Sequence, residues 1–241
     1  SSYQNAQCAS IGEELPNPKV NALHVSGESI WVGVYRAGIY LTDDEGQTWK
    51  PLNHDLPNLN VQAILTTPDR LLVGTDAGIF YLKHGEKSWK PTPLNAQVLS
   101  LYEYEGKWIA GTSLGTAISL DGRINWEWIR EEGSVHYTHN IGQRIIELVL
   151  NGDLAYSDDW GANWMQMEYE PRAGSYVYEI MEVGDYQLIS NNYGIHQSKD
   201  KGLTWEHIFQ TESMAFFDLV SIGELVYGGT RQWDEYRKRD R

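Results

Sequence analysis

Three arginines, four of the tyrosines and one isolated carboxylate are the residues of this chain best suited to hold a polar ligand. Arg36, Arg172 and Arg231 carry planar guanidinium forks that pair bidentately with an acid. Tyr35, Tyr137, Tyr176 and Tyr193 offer aromatic faces on which a sugar ring can stack, and Asn191 and Asn192 add amides beside Tyr193. Asp76 is a carboxylate with no acidic neighbour in its own loop. As a set these residues fit a glycan or a carboxylate-bearing ligand; singly, each reads as an ordinary polar loop residue. The run His136-Tyr137-Thr138-His139 invites a metal reading. On a strand, however, residues three apart face opposite ways, and zinc sites want three or four ligands at matched spacing. His136 and His139 are therefore expected to be structural, with neither metal nor cofactor implied.

The elements that position these residues come from a repeat. Trp49, Trp89, Trp126, Trp164 and Trp205 lie 40, 37, 38 and 41 residues apart, and a period near forty marks an array of one supersecondary unit. In the first unit, the β-prone runs Val20–Val25, Ile30–Val34, Ile39–Leu41 and Thr48–Leu52 are separated by turns at Ser26-Gly27-Glu28, Arg36-Ala37-Gly38 and Asp43–Gly46. The next four units repeat this, and no segment of useful length shows helical periodicity. Four strands in about forty residues is the blade of a β-propeller. The expectation is an all-β, six-bladed β-propeller with four-stranded antiparallel blades in one domain over residues 1–241. Its blades would span approximately 18–58, 59–95, 96–133, 134–174, 175–213, and 214–241 joined by 1–17. The last closure follows from Glu14-Leu15-Pro16-Asn17 before Val20 matching Asp55-Leu56-Pro57-Asn58 before Val61 at an offset of 41, with Cys8 in the register of Trp49. Residues before Leu15 would then supply the outer strand of the last blade and close the ring.

The turn ahead of three of these tryptophans is nearly constant: Thr42-Asp43-Asp44-Glu45-Gly46-Gln47-Thr48-Trp49, Ser157-Asp158-Asp159-Trp160-Gly161-Ala162-Asn163-Trp164 and Ser198-Lys199-Asp200-Lys201-Gly202-Leu203-Thr204-Trp205. Two eroded copies precede Trp89 and Trp126. This pattern resembles the Asp-box, or BNR repeat, over essentially the whole chain. Its physical logic is local: Asp44, Asp159 and Asp200 accept backbone N–H groups of their own turns, Gly46, Gly161 and Gly202 allow positive φ, and Trp49, Trp164 and Trp205 pack their indoles between sheets. A calcium loop is excluded by the lack of a carboxylate at the twelfth position and of flanking helices. The resemblance implies that these turns are structural and face away from the ligand. It places the ligand on loops between second and third strands and between blades, where Tyr35, Arg36, Asp76, His136, Tyr137, His139, Arg172, Tyr176, Asn191, Asn192, Tyr193 and Arg231 fall.

Net charge is −14 and the pI about 4.8, which argues against nucleic acid and anionic membrane surfaces. One cysteine forbids an internal disulfide, and no apolar stretch is long enough to span a membrane. The acidic, Trp- and Tyr-rich make-up fits an extracytoplasmic, periplasmic or secreted protein. Asp-box propellers include sialidases, sortilin-type receptors and photosystem II assembly-factor-like proteins, so fold does not fix function. The sialidase Arg-Ile-Pro motif is absent, since Arg36 is followed by Ala37, and where glycoside hydrolysis needs two carboxylates only Asp76 is an obvious candidate on this mouth, with Asp234 and Glu235 at its margin. The chain is therefore expected to be a non-catalytic propeller that binds a protein or peptide partner or serves as a recognition or assembly scaffold. The alternative is a sialidase-like hydrolase or glycan-binding protein.

Overall fold

The computed structural model describes residues 13–131, 135–141, 143–149, 154–167, 169, 177–210, 214–222 and 225–232. Their secondary structure is entirely β. The first sheet is β1 (Val20–Ser26), β2 (Ser29–Val34), β3 (Gly38–Thr42) and β4 (Lys50–Pro51) in chain order. The second is β5 (Val61–Thr66), β6 (Arg70–Thr75), β7 (Gly78–Lys83) and β8 (Lys90–Pro91), and the third β9 (Val98–Tyr104), β10 (Lys107–Thr112), β11 (Gly115–Ser119) and β12 (Glu127–Arg130). The fourth holds β13 (Val135–Ile141), β14 (Arg144–Val149), β15 (Leu154–Ser157) and β16 (Met165–Gln166). The fifth holds β17 (Val177–Val183), β18 (Tyr186–Asn191), β19 (Gly194–Ser198) and β20 (Glu206–Gln210). β21 (Met214–Ile222) and β22 (Leu225–Gln232) make a two-stranded hairpin.

These are five four-stranded antiparallel blades, not the six expected, and the sixth repeat contributes only its first two strands among the described residues. Repeat starts counted along the chain thus exceed the complete four-stranded blades by one, and the residues after Gln232 fall outside the described residues. The expected N-terminal closing strand, with Cys8, falls outside the described residues.

Two compact units divide the chain, one running to Ser113 and including Ile118–Glu127, the other made of Leu114–Ala117 and the residues from Trp128 onward. In the first unit, the core gathers Ile39, Leu56, Val61, Ile64, Leu71, Val73, Phe80 and Trp89 from neighbouring blades. Close approach is built in by glycine on the second strands: a Cβ at Gly74 would lie 2.5 Å from Cγ1 of Val98 on the next blade. In the second unit, Ile141, Ile146, Leu148, Leu154, Met167, Tyr169, Val177, Ile180 and Ile189 form the core, with Tyr156 and Trp205 packed against it.

The tryptophans lock blade to blade by one rule. Nε1 of Trp89 donates to the carbonyl of Leu52 (2.6 Å), Nε1 of Trp164 to that of Ile129 (3.3 Å), and Nε1 of Trp205 lies 3.2 Å from Sδ of Met167. Each partner sits three residues after the tryptophan of the preceding repeat. An indole that is both apolar and a single donor satisfies a backbone or sulfur acceptor that the short outer strands leave free.

Candidate functional site

The inner strands carry a feature that sets the loop edge. Register shifts occur between Val20 and Ala22, Val61 and Ala63, Val135 and Tyr137, Val177 and Glu179, and Phe216 and Asp218. A bulge leaves one residue unpaired and re-aims its side chain. In the first unit those residues are Asn21 and Gln62, with Leu99 at the same place on β9, and the two amides lie at the end of the sheet where the β2–β3 and β6–β7 turns are.

Asp76, in the β6–β7 turn, is the centre of that edge. The Gln97 side-chain amide donates to its Oδ1 at 2.9 Å, Gln62 donates to the same oxygen at 3.3 Å, and the Asn60 amide donates to Oδ2. Asn21 in turn donates to Oδ1 of Asn60 at 3.5 Å. One strand residue, Gln62, and one residue from each connection flanking the second sheet, Asn60 and Gln97, thus contribute amides to one carboxylate. Partial burial opposes its charge, yet the bonds from Asn60, Gln97 and Gln62 outweigh burial and hold the carboxyl below its ordinary range. The turn is itself fixed: Thr75 Oγ1 donates to the Gly78 carbonyl at 2.9 Å and accepts from Ala77 N–H at 3.1 Å. At Gly78, with φ of 116°, any Cβ would stand 2.4 Å from the Leu94 carbonyl, so only glycine lets the next connection lie against this turn.

Beside it is an aromatic–cation cluster. Nζ of Lys19 lies 4.1 Å from the Tyr35 ring centroid and the Arg36 guanidinium carbon 5.0 Å from it. Arg36 adopts φ of 56°, and Gly38 N–H bonds to the carbonyl of Leu59, the residue before Asn60. Asn17 Oδ1 accepts the Lys19 N–H and Asn58 Oδ1 the Asn60 N–H, each at 2.9 Å, so the two repeats shape their entries alike.

The remaining predicted residues are placed differently. His139 lies inside β13, and burial drives its pKa down to about 4, so it is neutral at physiological pH. His136, Tyr137 and Arg231 also lie within strands, in β13 and β22, rather than in loops. Asn191 ends β18, is buried, donates to the Tyr169 hydroxyl at 2.8 Å, and accepts the Tyr193 N–H at 2.7 Å. Asn192 and Tyr193 are half-buried in the β18–β19 turn. Arg172 and Tyr176 fall outside the described residues. Of the predicted residues, Tyr35 and Arg36 touch each other in the β2–β3 turn, and Asp76 holds the β6–β7 turn of the next blade with Asn60, Gln62 and Gln97, which the sequence did not single out.

The aspartate turns are saturated by their own chain. In the first, Gly46 N–H bonds to Thr42 Oγ1 (2.9 Å), while Asp44 receives Thr48 N–H (2.9 Å) and Thr48 Oγ1–H (2.6 Å). Asp159 and Asp200 do the same with Asn163 and Thr204. The bonds from Thr48 and Thr42 hold Asp44 at about 2. Glu45, Trp160 and Lys201, each just before the glycine, also take positive φ of 59°, 60° and 59°. No group of three or more His, Cys, Asp or Glu among the described residues is arranged to hold a metal ion. A second carboxylate that composition did not flag, Glu147 on β14, is fully buried and accepts from Arg130 of β12 at 2.9 Å. Burial raises its pKa, with Arg130 opposing. Sealed from solvent, Glu147 is a packing element rather than a substrate-facing acid.

Five four-stranded blades with this edge define a β-propeller, and solved structures agree. The chain is similar to YCF48 bound to D1 peptide, with a TM-score of 0.70 and 19% identity, covering 89% of this chain and 76% of that one. It is similar to the extracellular domain of the putative one component system BT4673 from B. thetaiotaomicron (TM-score 0.73, 14% identity, 88% of this chain and 30% of that one). It is also similar to PorZ, an essential bacterial surface component of the type-IX secretion system of Porphyromonas gingivalis (0.63, 14%, 89% and 30%). At these identities the likeness shows the fold. The chain spans under a third of the last two. No family model matches it, and no curated protein matches its sequence. No helix of the described residues is long and apolar enough to cross a membrane.

Proposed function

We propose that this chain is an Asp-box propeller that binds a protein or peptide segment, outside the cytoplasm, at the loop edge built by Asp76, Asn60, Gln62, Gln97, Tyr35 and Arg36. The observation that carries this reading is the collar of side-chain amides around a single ionised carboxylate. Amides donate and accept at once and so match an extended peptide backbone. Three turns with the same internal bonding support the Asp-box assignment. The neighbour YCF48, which was solved with a bound peptide, and the extracellular and surface neighbours are analogies in the same direction.

The edge is poorly suited to hydrolysis. A carboxyl held below its ordinary range is a poor general acid near neutral pH. The segments 17–21, 35–37, 58–62, 76–77, 94–97 and 113–114 contain no other Asp or Glu, whereas glycoside hydrolysis needs a pair. The test is selection from a random peptide display library on immobilised protein, run beside fluorogenic sialosides and glycosides, with Arg36→Ala and Asp76→Asn as comparators. Enriched peptides that lose affinity for the variants, and no turnover, are expected. Turnover abolished by Asp76→Asn, or no enriched peptide, overturns the proposal.

A further inference from the structure

We infer that Asp76 is the receptor for a cationic group, a lysine or arginine side chain of the bound segment; this rests on the peptide-binding reading above. The geometry is that of an anion held ready without its counter-ion. A carboxylate has about four acceptor sites, and the protein fills three of them with neutral amides, two on Oδ1 and one on Oδ2. Its second oxygen therefore keeps an acceptor site open, and the side chain is exposed at the rim of the β6–β7 turn.

The basic side chains near this edge are not used for it. Lys19 and Arg36 are both turned onto the Tyr35 ring. No Lys, Arg or His among the described residues forms an ion pair with Asp76, although other carboxylates, such as Asp69, Asp158 and Glu86, each have one. Neutral amides fix the position of a carboxylate without cancelling its charge, so the charge remains available to a ligand. The net charge of −14 adds long-range attraction for a basic segment, whose approach it speeds at low salt. Asp76 then selects one residue of that segment, because a hydrogen-bonded charge contributes more than a neutral contact.

The experiment uses the whole chain and two small probes that differ only in the terminal ammonium group. N-acetyl-lysine methylamide and its uncharged counterpart N-acetyl-norleucine methylamide are titrated while the side-chain amide NMR signals of Asn60, Gln62 and Gln97 are followed. The lysine probe should shift these signals saturably, the norleucine probe should not, and Asp76→Asn should weaken the lysine response about tenfold, the low end for a charge-assisted hydrogen bond. Because the probe comparison leaves the protein untouched, it stands even if Asp76→Asn disturbs the turn. Equal responses to both probes, or none at either, overturn the cation assignment. Peptides selected in the display experiment separate the two readings. Enriched peptides without a basic residue refute this inference and keep the binding reading, whereas no enriched peptide refutes the binding reading itself.

Discussion

Replacing Arg130 by methionine isolates what a buried charge costs this fold. Glu147 is fully buried and its only cation among the described residues is Arg130, at 2.9 Å. Remove the guanidinium and the carboxylate has two options, to stay charged in a dry environment or to bind a proton. The second is cheaper, and it sets a ceiling. Keeping a glutamate protonated at pH 7 when it would ionise at 4.5 in the unfolded chain costs about 3.4 kcal/mol, at about 1.4 kcal/mol per pH unit. Measured losses for breaking buried pairs are about 3–5 kcal/mol. Arg130 also lies 5.2 Å from the Trp164 ring, a contact worth about 0.5–1 kcal/mol. We therefore expect Arg130→Met to lose about 3 kcal/mol at pH 7. The sign with pH follows. A raised carboxyl pKa means the folded state holds the proton more tightly, so stability from this group falls as pH rises from the unfolded value through the folded one. In the variant this window extends upward, and the deficit should shrink to about 1.5 kcal/mol at pH 5.5. Arg130→Met combined with Glu147→Leu should return to within about 1 kcal/mol of the native protein. Urea unfolding of the native, single and double variants at both pH values measures all three. A single-variant deficit below about 1 kcal/mol, or one that does not change with pH, would show that Glu147 is solvated and refute the reasoning.

Trp164→Ala should cost about 3 kcal/mol, since it removes an indole, its bond to the Ile129 carbonyl and the seat of Arg130; a loss under about 1 kcal/mol in urea unfolding would mean the repeat tryptophans do not lock the blades. Gly74→Ala should cost about 1–3 kcal/mol because its Cβ would stand 2.5 Å from Val98, and adding Val98→Ala should recover part of it in thermal melts. The Asp200 carboxyl is held at about 2, partial burial being outweighed by the bonds from Thr204 and Ser198. Its contribution is thus complete above the ordinary range near 3.8 and is lost as pH falls through about 2. Asp200→Ala should accordingly remove part of the acid-unfolding transition between these values, and a circular-dichroism acid titration identical to the native one would contradict this.

The strands were legible because their signals are local. Runs such as Val20–Val25 and Ile30–Val34 combine β-branched residues with flanking turn residues, and they form β1 and β2 to within one residue at one end. The first outer strand is shorter than its run, Thr48–Leu52 narrowing to Lys50–Pro51, because the Thr48 N–H and hydroxyl are already bonded to Asp44 in the preceding turn. The blade number differs from the expected six because a period counts beginnings, and the sixth repeat begins like the others but forms only β21 and β22 among the described residues. Asn191, expected in a loop, instead ends β18 and is buried, bonded to the Tyr169 hydroxyl. The Arg130–Glu147 pair left no trace, since the two residues are 17 apart with no periodic relation.

What sequence could not announce is the bulge. Asp76 stood out as a lone carboxylate, but Gln62 and Asn21 read as the polar half of alternating strands, pointing away from whatever the apolar half packed on. A regular strand would have kept them there, since side-chain direction alternates with period two. One extra residue after Val20 and after Val61 breaks the alternation and turns an ordinary strand amide toward the loop edge. The same shift recurs after Val135 and Val177, at His136 and Tyr178. The repeat therefore supplies a variable position at the head of each inner strand, aimed by the backbone rather than by the residue that occupies it.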